Sequence, residues 1–188
     1  RPLPKVLNNF TIHGLWPKNF PNIEPNCTSK EQFNITKLQR LRDDLDKLWP
    51  SLKDYSKPVS FWKHEFDKHG KCVNEDPLMK DQYDYFKFGI DLMKNLHLLE
   101  NLEKNGIAPN ASAQYETTKL QDVMKKVYGH NATVQCASKK GQKGVQRLEE
   151  VWLCLNPKHN FTDCPPIGHC SDNFTFPTFT QVDCNSSK

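Results

Sequence analysis

The cysteine content is the feature that most constrains how this chain can fold. Its 188 residues include seven cysteines, and none of them forms a Cys-x-x-Cys pair. They are Cys27, Cys72, Cys136, Cys154, Cys164, Cys170 and Cys184. Scattered cysteines of this kind indicate disulfide bonds formed in an oxidising compartment rather than a zinc site. Because the number is odd, one thiol is free, pairs between chains or has lost its partner.

Glycosylation motifs point to the same compartment. Eight asparagines begin an Asn-x-Ser/Thr motif without an intervening proline, whereas about one is expected from ordinary composition. Seven are predicted to carry N-linked glycans: Asn26, Asn34, Asn110, Asn131, Asn160, Asn173 and Asn185. The eighth, Asn9, abuts a predicted strand and is set apart. The sequence therefore predicts a secreted, extracellular glycoprotein, or one delivered to a vacuolar or endolysosomal compartment.

Size and charge set further limits. A chain of this length corresponds to one domain, so residues 1–188 are predicted to form a single domain. Only 36% of the residues are hydrophobic, and no run approaches the roughly 18 apolar residues of a membrane span, so no membrane association is expected. The net charge of +4 permits RNA binding, but it fits a mildly basic secreted protein equally well.

Hydrophobic periodicity predicts three helices and a few short strands. The helices cover residues 35–49, 83–104 and 117–128, and the strands cover residues 10–14, 132–136 and 148–155. The basic stretch at residues 139–143 and the chain after Cys164 are predicted to be irregular. This combination predicts an α+β fold, a single disulfide-bonded domain with a central, mostly antiparallel sheet packed against several helices.

Residues that suit acid–base chemistry concentrate in FWKHEFDKHGKC, residues 61–72. This segment contains His64, Glu65, Lys68 and His69. In a helix, Glu65 and His69 would share a face as i and i+4. A second segment, FTIHGLWP at residues 10–17, supplies His13. Imidazoles titrate near neutral pH, so two of them can act as base and acid, while a carboxylate and a lysine can stabilise charge on a reacting phosphate.

Two different interpretations of residues 61–72 stay open. Phe61, Trp62 and Phe66 could form a core face, with the charged residues on a solvated face. The histidines could instead bind zinc, although the second histidine follows His64 by five positions and so leaves its helix face.

Both segments resemble, almost residue for residue, the paired active-site motifs of the secreted ribonuclease T2 family. The similarity extends more weakly through GIAPNASAQY, VQC, LEEVWLC and DCP, and so covers most of the chain. The resemblance implies cleavage of single-stranded RNA by transphosphorylation, in which the 2′-hydroxyl attacks its own phosphorus. The expected products are a 2′,3′-cyclic phosphate and a free 5′-hydroxyl, formed without a metal or other cofactor.

The resemblance also implies a role for each polar residue. His69 is the expected base and His13 the expected acid. Glu65 and Lys68 are expected to stabilise the transition state, and His64 to contact the phosphate. The residues alone leave the assignment of base and acid open, because a carboxylate four positions before a histidine can raise that histidine's pKa.

Two aromatic residues resemble the substrate-binding positions of the family. Trp16 corresponds to the residue that stacks on the base 5′ to the cut, and Phe61 to one that contacts the following base. Core packing is the alternative for Trp16. Fungal relatives have an acidic residue two positions after this tryptophan that helps to select purines. Here that residue is Lys18, so their base preference is not transferred.

The family frame implies three disulfides and one departure. The implied pairs are Cys27 with Cys72, Cys136 with Cys170, and Cys154 with Cys164, and Cys184 is left over. The first would join the two catalytic segments and stabilise the fold by roughly 3 to 5 kcal/mol in the chain-entropy model. Relatives have a further N-terminal strand and a cysteine pair before FTIHGLWP. Because the chain opens at Arg1 without a signal peptide, we expect that this part is missing.

The leading functional hypothesis is a monomeric, secreted endoribonuclease that carries N-linked glycans and binds single-stranded RNA, but not DNA. Basic charge and dense glycosylation resemble plant S-RNases, the pistil cytotoxins of self-incompatibility. A senescence, defence or nutritional ribonuclease is an alternative. Two further alternatives do not involve RNA cleavage. One is a catalytically idle RNA-binding or recognition glycoprotein of the same fold, and the other is a zinc hydrolase. The presence of both His13 and His69 disfavours the idle protein.

Overall fold

The structure of the chain is a computed structural model that describes residues 8–17, 30–138 and 146–178. The architecture is α+β, as predicted. The described residues fall into two compact units, one up to His97 and one from Leu98 onward. That residues 1–188 form a single domain stays a prediction. The predicted irregular stretch at residues 139–143 lies outside the described residues.

The first unit contains only helices among its described residues. In chain order they are a 3-10 helix Ile35–Leu41, α1 Arg42–Leu48, α2 Pro58–Lys68, a 3-10 helix Gly70–Glu75 and α3 Gln82–Leu96. Side-chain caps fix two of their starts, because Asn34 accepts a hydrogen bond from the Thr36 N–H and Asp81 accepts one from the Asp84 N–H. The helix predicted over residues 35–49 is confirmed as two consecutive helices.

Aromatic side chains form the core of the first unit. Trp49, at the end of α1, is fully buried and lies 5.2 Å from Phe86 and 5.9 Å from Tyr85 between ring centroids. Phe66 from α2 lies 6.0 Å from Tyr85. Trp62 is also fully buried, and its indole N–H donates to the Trp49 carbonyl at 2.7 Å. These contacts fix α2 against the end of α1 and against α3.

The helix predicted over residues 83–104 is wrong as a single element. It is divided into α3 and α4, the latter Leu98–Lys104, and α4 belongs to the second unit. His97 separates them in the left-handed conformation, with φ at 48°. A residue in this conformation cannot continue a right-handed helix. The hydrophobic pattern hides the break because Leu96 and Leu98, on its two sides, are both buried.

The second unit combines helices with two sheets. Helix α5, Thr117–Tyr128, has the predicted bounds and ends at Gly129, whose φ is 80°. The strands are β1 Gln114–Glu116, β2 Thr133–Ala137, β3 Gln146–Trp152, β4 Cys154–Leu155, β5 Phe161–Thr162 and β6 Asn173–Thr175. The larger sheet has the order β1-β6-β3-β2, antiparallel except for the parallel pair β3 and β6. Strands β4 and β5 form an antiparallel pair.

Two strand predictions and one prediction of irregular structure need correction. Residues 10–14, which are within the described part of the chain, do not form a strand, because the Ile12 N–H bonds to the Leu48 carbonyl of a helix instead. The strand predicted over residues 148–155 is divided at Leu153 into β3 and β4. The chain after Cys164 is not wholly irregular, because it contains β6, which lies between β1 and β3 with Phe174 fully buried.

Disulfides link the second unit in the pattern that the family resemblance implies. Cys136 bonds to Cys170, and Cys154 bonds to Cys164. Cys72 is also disulfide-bonded. Its predicted partner Cys27 lies outside the described residues, so that pair stays a prediction.

Candidate active site

Helix α2 carries most of the predicted catalytic residues. Pro58 fits its first turn because proline lacks the N–H that a helix start leaves unpaired. His69 caps the C-terminal end of the helix, and its N–H donates to the Glu65 carbonyl at 2.9 Å. Trp62, Glu65 and Phe66 are all buried, so this helix packs against the core along a face that includes a predicted catalytic residue. The core interpretation is therefore confirmed for Trp62 and Phe66, and it is compatible with the predicted catalytic role of the polar residues on the same helix.

The FTIHGLWP segment is held in place by side chains of the aromatic core. The Trp49 indole N–H donates to the His13 carbonyl at 2.9 Å, and the Tyr85 hydroxyl donates to the Leu15 carbonyl at 2.8 Å. The side chains of Ile12 and Leu15 pack against the same core. These contacts fix the backbone on both sides of Gly14 without strand pairing.

Trp16 lies in contact with three predicted catalytic residues. Its ring centroid is 5.0 Å from that of His13, in an edge-on arrangement, and 5.7 Å from that of His69. Its indole N–H donates to the Glu65 carboxylate at 3.0 Å. The structure thus brings together residues from both sequence motifs around one indole ring.

The predicted site residues differ in exposure. Glu65 and His69 are 3% and 7% exposed, whereas His13 is exposed and its ring stacks 6.4 Å from Phe61. The remaining two, His64 and Lys68, lie on the exposed part of α2. The arrangement offers buried groups with fixed positions beside polar groups that solvent and an incoming polyanion can reach.

Burial and charge also perturb groups that support the site. Burial raises the pKa of Tyr85 well above its ordinary value, and the Glu65 carboxylate raises it further. The Tyr85 hydroxyl therefore stays protonated and donates to the Leu15 carbonyl at any physiological pH. On α2, partial burial opposes ionisation of Asp67, but hydrogen bonds from Lys63 and Lys71 outweigh it and lower the pKa of this carboxyl.

Three supporting residues are absent from the predicted site. Trp49 and Tyr85 hold the His13 segment by its carbonyls, and Gly14 lies directly beneath the Trp16–Glu65 hydrogen bond. The glycine between a histidine and a tryptophan in FTIHGLWP is a usable signal for a close approach. Trp49 and Tyr85 give no signal in the sequence, because large aromatic residues in or beside helices are usual in any core.

Zinc binding is the second interpretation of the histidines in residues 61–72. Within residues 8–17, 30–138 and 146–178, no group of three His, Cys, Asp or Glu side chains could hold a metal ion. The described part of the chain also has no helix with the length and apolar character needed to cross a membrane. The chemistry that the site can perform with its own groups is proton transfer by two imidazoles beside a carboxylate and a lysine.

The glycosylation predictions fall partly on described residues. Asn34, Asn110, Asn131, Asn160 and Asn173 are exposed. Asn26 and Asn185 lie outside the described residues. Exposure leaves the five sites accessible for modification, and occupancy of all seven stays a prediction.

Comparison with known proteins gives consistent matches. The model of the Ribonuclease T2 family matches residues 2–164. Ribonuclease S-7 of Nicotiana alata is 33% identical over 185 residues, which cover 94% of this chain and 81% of that protein. Ribonuclease T2 of Sus scrofa is 35% identical over 172 residues, which cover 89% of this chain and 83% of that protein.

Solved structures resemble the fold over a similar share of the chain. Ribonuclease MC1 from the seeds of bitter gourd superimposes with a TM-score of 0.78 at 29% identity, covering 88% of this chain and 84% of that one. Human RNase T2 also gives a TM-score of 0.78 at 29% identity, covering 89% and 84%. This chain is therefore similar to these relatives in sequence and in fold over most of its own length and most of theirs.

Proposed function

The chain belongs to the ribonuclease T2 family and is an endoribonuclease, and from this premise we propose that it cleaves single-stranded RNA by metal-free transphosphorylation. The observation that carries the proposal is the placement of His13 and His69 around Trp16, with ring centroids 5.0 and 5.7 Å from the indole. Two imidazoles from separate segments converge on one site, as a reaction with one proton removed and one delivered requires.

The proposed reaction transfers one proton at each end of the scissile bond. His69 removes the proton from the ribose 2′-hydroxyl, whose oxygen then attacks the adjacent phosphorus. The P–O5′ bond breaks, and His13 gives a proton to the leaving 5′-oxygen. The products are a 2′,3′-cyclic phosphate and a 5′-hydroxyl, so atoms and charge balance without a metal or redox partner.

The remaining site residues act on charge and on the bases. We propose that Lys68 and Glu65 stabilise the pentacovalent phosphorane and that His64 contacts a phosphate oxygen. Lys68 and His64 are on the exposed part of α2, where a polyanion can reach them. Trp16 and Phe61 offer aromatic faces to the bases on the two sides of the cut. Unpaired bases can stack in this way, which favours single-stranded RNA.

The proposed setting is a secretory compartment. Disulfides within the second unit and five exposed glycosylation motifs support passage through an oxidising compartment, and we propose that the protein is monomeric and glycosylated. Its matched relatives include Extracellular ribonuclease LE and Intracellular ribonuclease LX, both from Solanum lycopersicum. A role in self-incompatibility stays a prediction beside nutritional, senescence and defence roles.

Product analysis on a defined dinucleotide tests the proposal. The wild-type chain should release a 2′,3′-cyclic phosphate in the presence of excess EDTA. His13→Ala and His69→Ala should each lose about 10²- to 10⁴-fold in turnover while keeping their fold. Wild-type turnover by either variant would refute the two-histidine mechanism. EDTA inhibition reversed by zinc would favour a zinc hydrolase, and an inactive wild-type chain that still binds RNA would favour the idle recognition protein.

A further inference from the structure

The Glu65 carboxylate is buried beneath Trp16. Only 3% of Glu65 is exposed, and the Trp16 indole N–H donates to its Oε2 at 3.0 Å. A carboxylate withdrawn from water to this extent needs hydrogen-bond donors to offset its lost hydration. The indole edge is therefore engaged in the protein itself, whereas its faces are what a stacked base would use.

Gly14 shows that this hydrogen bond is built into the segment. A Cβ atom at Gly14 would lie 2.0 Å from Trp16 Nε1 and 2.3 Å from Glu65 Oε2. Both distances are far inside van der Waals contact, so any larger residue would displace donor and acceptor together. The Trp16 side chain lies over Gly14, and its indole N–H reaches the Glu65 carboxylate through the space that a side chain at position 14 would fill.

We propose that Trp16 is a positioning residue for Glu65, in addition to any base that its ring stacks upon. The indole N–H restricts the Glu65 carboxylate to one place beside His69 and His13. This inference rests on the proposed function, because it assigns Glu65 a task in the transition state. It separates the two properties of tryptophan, since phenylalanine keeps an aromatic face but has no N–H.

The two roles of Trp16 have different kinetic signatures. Loss of a stacking platform weakens substrate binding to an extent that depends on the base. Loss of the N–H misplaces a group that acts on the phosphoryl centre, so it lowers kcat by the same factor whichever base precedes the cut. A hydrogen bond to a charged group corresponds to about 10- to 100-fold in rate.

A matched pair of variants, made in the chain of 188 residues, tests this signature. Trp16→Phe removes the bond to Glu65, and Trp152→Phe removes an indole bond of the same kind, from Trp152 to the Glu150 carboxylate at 2.6 Å in β3. We expect Trp16→Phe to lower kcat about 10- to 100-fold on all four dinucleotides of a series that varies the 5′ base, with KM little changed. Trp152→Phe should keep the wild-type kcat.

A double-mutant cycle with Glu65→Ala decides whether the effect passes through Glu65. In the Glu65→Ala background, Trp16→Phe should lower kcat no further. An undiminished loss in that background, or a KM effect that varies with the base while kcat is unchanged, would overturn the inference and leave the two-histidine mechanism intact. Wild-type kcat in Glu65→Ala would refute both the inference and the proposed role of Glu65.

Gly14→Ala provides a second route that leaves the indole unaltered. Because the added methyl group meets both Trp16 Nε1 and Glu65 Oε2, it should reproduce the base-independent loss of kcat expected for Trp16→Phe. Folding is checked by circular dichroism and by the denaturation midpoint. A folded Gly14→Ala enzyme with wild-type kcat on all four dinucleotides would contradict the proposal.

Discussion

The segments of the two units are held in place by different kinds of interaction. In the second unit, β2, β3, β6 and β1 pair through their backbones, and Cys136–Cys170 and Cys154–Cys164 link the strands and loops. In the first unit, residues 10–17 have no strand pairing and are held by side chains. The Trp49 indole and the Tyr85 hydroxyl donate to the His13 and Leu15 carbonyls.

The absence of strand pairing in residues 10–17 affects where their side chains can point. A strand directs alternate side chains to opposite faces. If residues 10–17 formed a strand, the side chains of His13 and Trp16 would therefore lie on opposite faces of the sheet. Anchoring by core side chains frees the segment from this alternation, and His13 and Trp16 can lie edge to face at 5.0 Å. The position of this segment therefore depends on a few aromatic donors rather than on a ladder of backbone hydrogen bonds.

Replacing one of these donors should have the largest effect. Trp49→Ala removes a fully buried ring together with the hydrogen bond to the His13 carbonyl, and should lower the free energy of unfolding by about 3 to 5 kcal/mol. Phe174→Ala, which removes a fully buried ring from β6, should have a similar effect. Urea denaturation measures both.

Activity distinguishes these two variants if they still fold. Trp49→Ala should also lower kcat, because it releases the backbone that carries His13, whereas Phe174→Ala should lower stability alone. Equal losses of kcat in the two variants, measured well below their denaturation midpoints, would remove the proposed difference between the units.

Removal of the disulfides should destabilise the second unit according to the loops they close. The bridges span 34 residues for Cys136–Cys170 and 10 for Cys154–Cys164. Chain entropy gives about 4 kcal/mol for the first and about 3 kcal/mol for the second. Paired replacements with serine, followed by denaturation, check this order. A larger loss from the shorter loop would show that native packing rather than loop closure sets the stability.

Loss of the ion pairs of Asp67, a residue of α2, should have the smallest effect. Because the pKa of Asp67 is lowered in the folded state by Lys63 and Lys71, these two ion pairs stabilise the fold above the unfolded-state pKa of about 3.9. This contribution is lost as the pH falls through the still lower folded-state pKa. Asp67→Asn should therefore cost under about 1 kcal/mol at pH 7, and the difference should vanish in acid.

An exposed pair of the same spacing is the control for Asp67. Lys87 and Asp91 form an i, i+4 pair on α3 whose side chains are both 48% exposed. Asp91→Asn should produce no measurable change in the denaturation midpoint at either pH. If Asp67→Asn destabilised the protein equally at neutral and acidic pH, loss of packing rather than charge would explain its effect.

The sequence predicts regular helices well and local exceptions poorly. Helix α5 has its predicted bounds, because Gly129 adopts the left-handed conformation that a glycine after a hydrophobic period indicates. His97 adopts the same conformation without any such signal, so the break between α3 and α4 is missed. Strands β1 and β6 have three residues each, too few for alternation to be recognised, and tertiary pairing alone defines them.

The site shows the same limit. Spacing and family resemblance predict a grouping of His13, Glu65 and His69, and the structure brings these three together with Trp16. Sequence does not reveal that Glu65 is buried or that Trp49 anchors the His13 carbonyl, because both depend on how α1 and α2 pack. Residue type thus predicts the chemistry, whereas tertiary contacts determine its geometry.

The proposed roles of His69 as base and His13 as acid are tested most directly with two substrates that differ in their leaving group. Both alanine variants are assayed on a dinucleotide and on a nucleoside 3′-(4-nitrophenyl phosphate), whose leaving group needs no proton. His13→Ala should lose about 10²- to 10⁴-fold on the dinucleotide and recover nearly wild-type kcat on the activated ester, while His69→Ala should be impaired on both. The reverse pattern would exchange the roles of base and acid, and full dinucleotide turnover by His13→Ala would contradict the account.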